Sequence, residues 1–252
     1  MKMNIQITII KPIRYLIASF VLLCWSSLAT SFEIAPFSLE LEAKRFGTVD
    51  ITLHGIQSLT RLKNNQWQYS LQTLSSFIKI IETSNFERQD SQIIPLSYRH
   101  FSRIAFVKKD ESATFNSKVN QIIVKRKTGI KTYPLIAGIM DPSSFQIKLM
   151  EELTQGKTEF SYLIQDLGKQ TRYDFRVVQQ EKLTTPMGVL DVVKIEQVWN
   201  SKSSKQKYIW VSKDFGYIPL LIENYRDGKI VSYIRAKSGT YNGKAINTSV
   251  LN

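Results

Sequence analysis

His54 and His100 are the two histidines of the 252-residue chain, and neither has a second histidine or a carboxylate at ligand spacing. A zinc site or a Ser-His-Asp relay needs an imidazole held by such partners, so neither a metal centre nor a His-based nucleophile is expected. His54 falls on the polar side of its segment and reads as solvated surface. The chain has no G-x-S-x-G elbow, phosphate-binding loop or dinucleotide fingerprint, and no cofactor is expected. Glycoside hydrolysis asks only for two carboxylates flanking a cleft. The visible pairs are Glu151 with Glu152, on an expected helix, and Glu40 with Glu42, on the solvent side of an expected strand. Both read as solvated charge, so no catalytic residue is assigned. Asp214-Phe215-Gly216 matches a kinase tripeptide but lacks every other kinase element, and reads as a turn.

Binding is what remains. Trp67, Tyr69, Tyr208 and Trp210 alternate along their segments and are expected to line the concave side of a curved sheet. Lys125, Arg126 and Lys127 with Lys131, and Lys202, Lys205 and Lys207, fall at expected hairpin turns, where they would meet an anionic surface. The formal net charge is +13; a leader with three of the 34 basic residues and none of the 21 acidic ones would leave an excess of ten. In an exported chain that excess points to anionic envelope lipid, lipopolysaccharide or acidic glycan rather than to nucleic acid.

The elements that must position these residues follow from a period of two. Leu39, Leu41 and Ala43 alternate with Glu40, Glu42 and Lys44; Trp67, Tyr69 and Leu71 with Gln68, Ser70 and Gln72; Tyr173, Phe175 and Val177 with Asp174 and Arg176. Each such run wets one face and buries the other, as antiparallel strands over one core do. Turn residues at Lys63-Asn64-Asn65, Lys127-Thr128-Gly129, Asp166 to Lys169, Asn200 to Ser204 and Arg226-Asp227-Gly228 separate the runs at hairpin spacing. One segment breaks the period. Asp141, Pro142, then Phe145, Leu149 and Leu153, with Gly156 after them, predict a helix over about 142–154 with an acidic N-cap and a glycine stop.

At the amino terminus Lys2, Lys11 and Arg14 precede an apolar run from Tyr15 to Trp25 and then small residues, so residues 1–31 read as a secretory signal peptide cleaved after Ala29 or Ser31. An uncleaved leader serving as an inner-membrane anchor is the alternative. Cys24 follows Leu23, where lipoprotein processing needs a small residue, so it reads as one more apolar residue of the leader. The mature chain would then have no disulfides and no thiol. The expected organisation is a single β-rich domain over 32–242 and a flexible tail over 243–252. Its fold class is mainly β: an antiparallel curved sheet, half-open barrel or sandwich with one packed α-helix.

Ile94-Pro95-x-x-Tyr98, Met140-Asp141-Pro142, Tyr173 to Val177 followed by Leu183 to Gly188, and Trp210 to Asp214 closing with Ile218-Pro219-Leu220 occur here in order. In this the chain resembles the DUF3108 family of exported bacterial proteins over roughly 37 to 235. The family has no established activity, so the resemblance implies a periplasmic location and a β-rich fold only. The expectation is a non-enzymatic periplasmic envelope protein that binds an apolar or amphiphilic ligand or an envelope polymer. Two alternatives stand beside it: a module that docks on a protein partner of the cell envelope, and a cell-wall glycan hydrolase.

Overall fold

The structure, a computed structural model, describes residues 33–75, 77–90, 92–199 and 203–247. The expected leader, with Cys24 and both cleavage positions, and Lys202 lie outside the described residues. The alternating segments of the amino-terminal half become eight strands, β1 (Phe37–Arg45), β2 (Ile51–Arg61), β3 (Gln66–Leu74), β4 (Ile78–Gln89), β5 (Gln92–Ile104), β6 (Val107–Asn116), β7 (Gln121–Arg126) and β8 (Gly129–Pro134). The helix α1 (Ser144–Thr154) is followed by β9 (Glu159–Gln165), β10 (Gln170–Thr185), β11 (Gly188–Val198), β12 (Lys205–Ser212), β13 (Pro219–Arg226) and β14 (Lys229–Tyr241); the short β15 (Lys244–Ala245) returns on β14. Each run is an antiparallel meander. β1 pairs with β14, and this joins the two meanders into one 15-stranded sheet running from β8 through β1 and β14 to β9. Among the described residues no helix is long and apolar enough to cross a membrane.

The sheet rolls up on itself without closing, because β8 and β9 share no ladder. The connection after β8 bridges the gap: Met140 donates its N–H to Leu163 O at 2.9 Å and accepts from Gln165 N–H at 2.8 Å. Tyr133 Oη donates to Gly168 O at 2.7 Å, and Gln170 Nε2 to Pro134 O at 2.9 Å, tying the two edges together. The expected curved sheet with one packed helix is therefore what the chain forms.

α1 begins under the control of Asp141, although helical geometry starts at Ser144. Asp141 Oδ1 accepts the backbone N–H of Ser143 at 2.8 Å and of Ser144 at 3.0 Å, and Ser144 Oγ in return accepts the Asp141 N–H at 3.1 Å. These bonds satisfy donors that a helix start leaves open. The other end closes on Gly156, whose φ of 78° lets its N–H reach Leu153 O and the Lys157 N–H reach Glu152 O, the paired bonds of a Schellman stop. Phe145, Leu149 and Leu153 then pack into Phe160, Tyr162, Phe175, Val193, Ile195 and Ile209. The Phe145 ring stacks on Phe175 with 5.6 Å between centroids and meets Tyr173 edge-on at 5.9 Å. A second core cluster, with Tyr98, Phe115, Ile122, Val124, Ile139 and Leu167, fills the space beneath the bridging segment.

The segment expected as a flexible tail is folded as far as it is described. Asn242 and Gly243 both take positive φ, 49° and 76°, and form the two-residue turn that matches strand twist. β15 pairs with Tyr241 and Thr240, and Ile246 is buried with its N–H on Gly239 O.

The Asp214 to Tyr217 turn needs its glycine. Gly216 has φ +61°, and a Cβ there would lie 2.2 Å from Tyr241 Oη. Gly216→Ala is expected to cost about 2 kcal/mol, combining positive-φ strain with displacement of the Tyr241 ring. A chemical-denaturation midpoint unchanged from wild type would contradict this.

Candidate functional site

Cross-strand register decides which side chains look into the rolled sheet. Ile195 and Ile209 pack with α1, so they point inward, and directly paired residues share their face: Ile209 with Ile222, Ile222 with Ile234, Ile234 with Ala43, Ala43 with Leu53. On the opposite wall Tyr69 donates to Gln146 Oε1 of α1 at 3.1 Å, and its inward neighbours are Leu71, which pairs with Glu82, and Glu82, which pairs with His100. The inner face thus has two halves. Near α1 it is mostly buried, with Tyr173, Val177 and Ile222 half-buried against the helix cluster; farther from α1 Ala43, Leu53, Leu71, Ile80 and Ile234 are half-buried.

On this half-buried inner face lies Lys207, two residues from Ile209 and on the same row. Burial holds its ammonium below the ordinary lysine pKa, with Glu82 as the opposing charge. In the order of the sheet β3, β2, β1, β14 and β13 lie between β4 and β12; strands spaced about 4.8 Å apart would hold these charges about 29 Å apart if the sheet were flat. They sense each other because the sheet is rolled. Glu82 also bears on the buried phenols of Tyr69 and Tyr98, whose pKa values rise first through burial and then through this charge. The Lys207 ammonium makes no hydrogen bond or salt bridge with any described residue.

Glu82 has a closer companion in His100, Nδ1 to Oε1 at 3.2 Å. The hydrogen bond to Glu82 raises the His100 pKa against the opposing effect of burial. A raised imidazole pKa contributes stability that is present below the ordinary histidine value and is lost as pH rises through the raised one. Thermal melts of wild type and His100→Gln should therefore differ by about 0.5 kcal/mol near about pH 5.5 and converge by about pH 8.5. A gap that widens with pH would contradict the pairing.

The four expected aromatic residues do not share a face. Trp67 and Tyr69 point inward and are buried in the core near α1. Tyr208 and Trp210 point to the convex side, because their neighbours Ile209 and Val211 take the inward positions. There Lys194 Nζ stands over both rings, 4.4 Å from the Tyr208 centroid and 4.8 Å from that of Trp210, and Trp210 Nε1 donates to Glu181. These are two built contacts, and neither pair lines an open concave wall. Of the basic cluster, Lys125, Lys127 and Lys131 are exposed around the β7–β8 turn, while Arg126 is engaged by Glu111 at 2.9 Å. Lys205 is exposed and lies 5.9 Å from the Trp199 ring.

Of the carboxylates expected as solvated charge, Glu40 is exposed, whereas Glu151 is buried and Glu42 and Glu152 are half-buried and held by partners. Glu151 is 2% exposed, between Arg88 Nη2 at 3.2 Å and Lys148 Nζ at 2.7 Å. Glu152 pairs with Lys157 and accepts from Tyr162 Oη. Glu42 accepts from Tyr233 Oη and Arg235, which lower its pKa, and Glu40 accepts from Ser238 Oγ. A separate cleft of about 630 Å³ lies beside the bridging segment, walled by Ile93, Pro95, Phe115, Leu135, Ile136 and Met140, with Lys148 at its edge.

A rolled, unclosed antiparallel sheet with a helix packed in one end defines a barrel-like class of protein. The profile of DUF3108, a protein of unknown function, matches residues 37–235, and the chain belongs to that family. A comparison with curated proteins finds no match. Among solved structures, a beta-barrel-like protein of domain of unknown function DUF1849 from Brucella abortus superposes with a TM-score of 0.57 at 8% identity, over 82% of this chain and 98% of that one. A putative outer membrane lipoprotein-sorting protein domain from Vibrio parahaemolyticus aligns at 13% identity with a TM-score of 0.25, over 82% and 85% of the two chains. A DUF1329 family protein from Desulfovibrio piger aligns at 12% identity with a TM-score of 0.27, over 86% and 91%. The Brucella likeness concerns fold; the other two superpose too loosely to carry an argument.

Proposed function

We propose that this is a periplasmic, non-enzymatic binding protein, exported by its leader, whose concavity holds an amphiphile with an acidic headgroup. The observation that carries the reading is Lys207. A cation drawn into an apolar interior costs free energy unless an anion meets it there. Here Glu82 already serves His100, and the ammonium keeps no hydrogen bond of its own. An incoming carboxylate or phosphate would complete it, and a single acyl chain would lie along Leu53, Leu71, Ile222 and Ile234. Organic extraction of protein purified without detergent, followed by mass spectrometry, should release an acidic amphiphile. A chain that releases none, and whose thermal stability is indifferent to added fatty acids and alkyl phosphates, would overturn the proposal.

A further inference from the structure

In an antiparallel meander alternate turns share one end, and the register puts the β1–β2, β3–β4, β5–β6, β7–β8, β11–β12 and β13–β14 turns at the end of the rolled sheet away from α1. Tips of soluble hairpins ordinarily carry polar turn formers, as Asp227-Gly228 does here between β13 and β14. Neighbouring tips differ. Phe106 is fully exposed at 103%, Val49 is 78% exposed, Phe77 76% and Val107 65%, and Trp199 stands out from the β11–β12 turn. The opposite end shows Leu62 at 40%, Val119 at 55% and Val189 at 49% beside its β2–β3, β6–β7 and β10–β11 turns, with Ile136 at 43% after β8, each less exposed than Phe106, Val49, Phe77 and Val107. Two of the apolar tips are held side by side, since Ala105 donates its N–H to Phe77 O at 2.8 Å. Ala105 does so at φ 51°, a conformation that favours glycine, so the turn spends conformational energy to present Phe106.

Charge around these tips is predominantly positive, with Asp227 the exposed acid that carries no ion pair among the described residues. Arg45, Arg103, Lys108 and Lys109 are exposed, and none is ion-paired among the described residues. The basic β7–β8 turn lies on the same rim, and Asp50 and Asp110 are neutralised by Lys44 and Arg99. Apolar side chains that reach beyond a ring of unpaired cations match an anionic lipid interface, where the rings enter the acyl boundary and the cations meet headgroups.

We propose that this rim docks on the surface of an anionic lipid bilayer, with Val49, Phe77, Phe106 and Val107 inserting and the basic residues around them holding the headgroups. Docking there points the open concavity at the membrane. The inference goes beyond ligand binding and stands without it.

The test is flotation with vesicles of phosphatidylcholine, with and without phosphatidylglycerol. The described residues from Ile34 onward form one compact unit, so the protein beginning at Phe32 is the reagent. It should float with the anionic vesicles and be released by high salt. Phe77→Asp with Phe106→Asp should reduce the bound fraction at least about tenfold without lowering the melting temperature, since both rings already face water. Lys207→Met should float like wild type, which separates docking from cargo binding. Equal flotation with neutral vesicles, or none with either, would overturn the proposal. So would a concentration-dependent dimer that the double substitution abolishes, because the rim would then be a self-association face.

Discussion

Asp141→Ala is expected to destabilise the folded chain by about 3 kcal/mol, lowering the melting temperature by about 6 to 12 °C. Asp141 is completely buried, and its Oδ2 accepts from Ser84 Oγ at 2.7 Å while Oδ1 serves the N–H groups of Ser143 and Ser144. Alanine removes the acceptor for all three and leaves them where water cannot replace it. It also unties the helix start from β4, and with it the helix that fills one end of the rolled sheet. Asparagine should behave differently. Burial is the largest influence on Asp141 and raises its pKa, while the bonds from Ser144, Ser84 and Ser143 oppose the rise. A carboxyl whose folded pKa is raised adds stability below its ordinary value and loses it as pH rises through the raised one. Asp141→Asn, an isostere of the neutral acid, should stay within about 1 kcal/mol of wild type and gain on it as pH increases. Melts of the three proteins at several pH values check this; an alanine variant as stable as the asparagine variant would remove Asp141 from its role.

Lys207→Met should act in opposite directions on stability and on binding. Methionine has similar length and carries no charge, so the empty protein is expected to gain about 1 to 2 kcal/mol at neutral pH. Linkage agrees in sign: a depressed lysine pKa means that the unfolded chain binds more protons, so wild type gains stability as pH rises through the folded value. Binding of an anionic amphiphile should weaken by about 30-fold or more, the effect of deleting one partner of a desolvated charge pair. Denaturant titration and direct binding measurements read the two effects separately. Loss of both stability and binding would mark Lys207 as a packing residue.

The strands and the helix were legible because they follow from local periodicity. Asp141 and Gly156 announce α1, but the N-cap position is Ser143 and Pro142 precedes the helix, so the expected acidic cap sits two residues early. Asp141 instead accepts the N–H groups of Ser143 and Ser144, and Gly156 closes the other end. Which face of each strand looks inward was less accessible. Tyr208 and Trp210 alternate as regularly as Trp67 and Tyr69, and alternation alone is symmetric between the two faces. The sign comes from Ile209 and Val211 packing with α1. Lys207 lies on that same inward row, yet its nearness to the Asn200 to Ser204 turn made a solvated tip the natural reading. The Glu82 and His100 pair joins residues 18 apart in sequence, and only the β4–β5 register brings them together. Asn242-Gly243 was a readable hairpin turn; its proximity to the chain end favoured a tail, and burial of Ile246 is what decides otherwise.

Titration calorimetry of wild-type protein with decanoate and with decanol most directly tests whether the concavity binds an acidic amphiphile through Lys207. The two ligands share a chain and differ in charge. Decanoate should bind at least about tenfold more tightly at neutral pH, and Lys207→Met should abolish the difference. Equal affinity for the two in wild type, or heat from neither, would contradict the account.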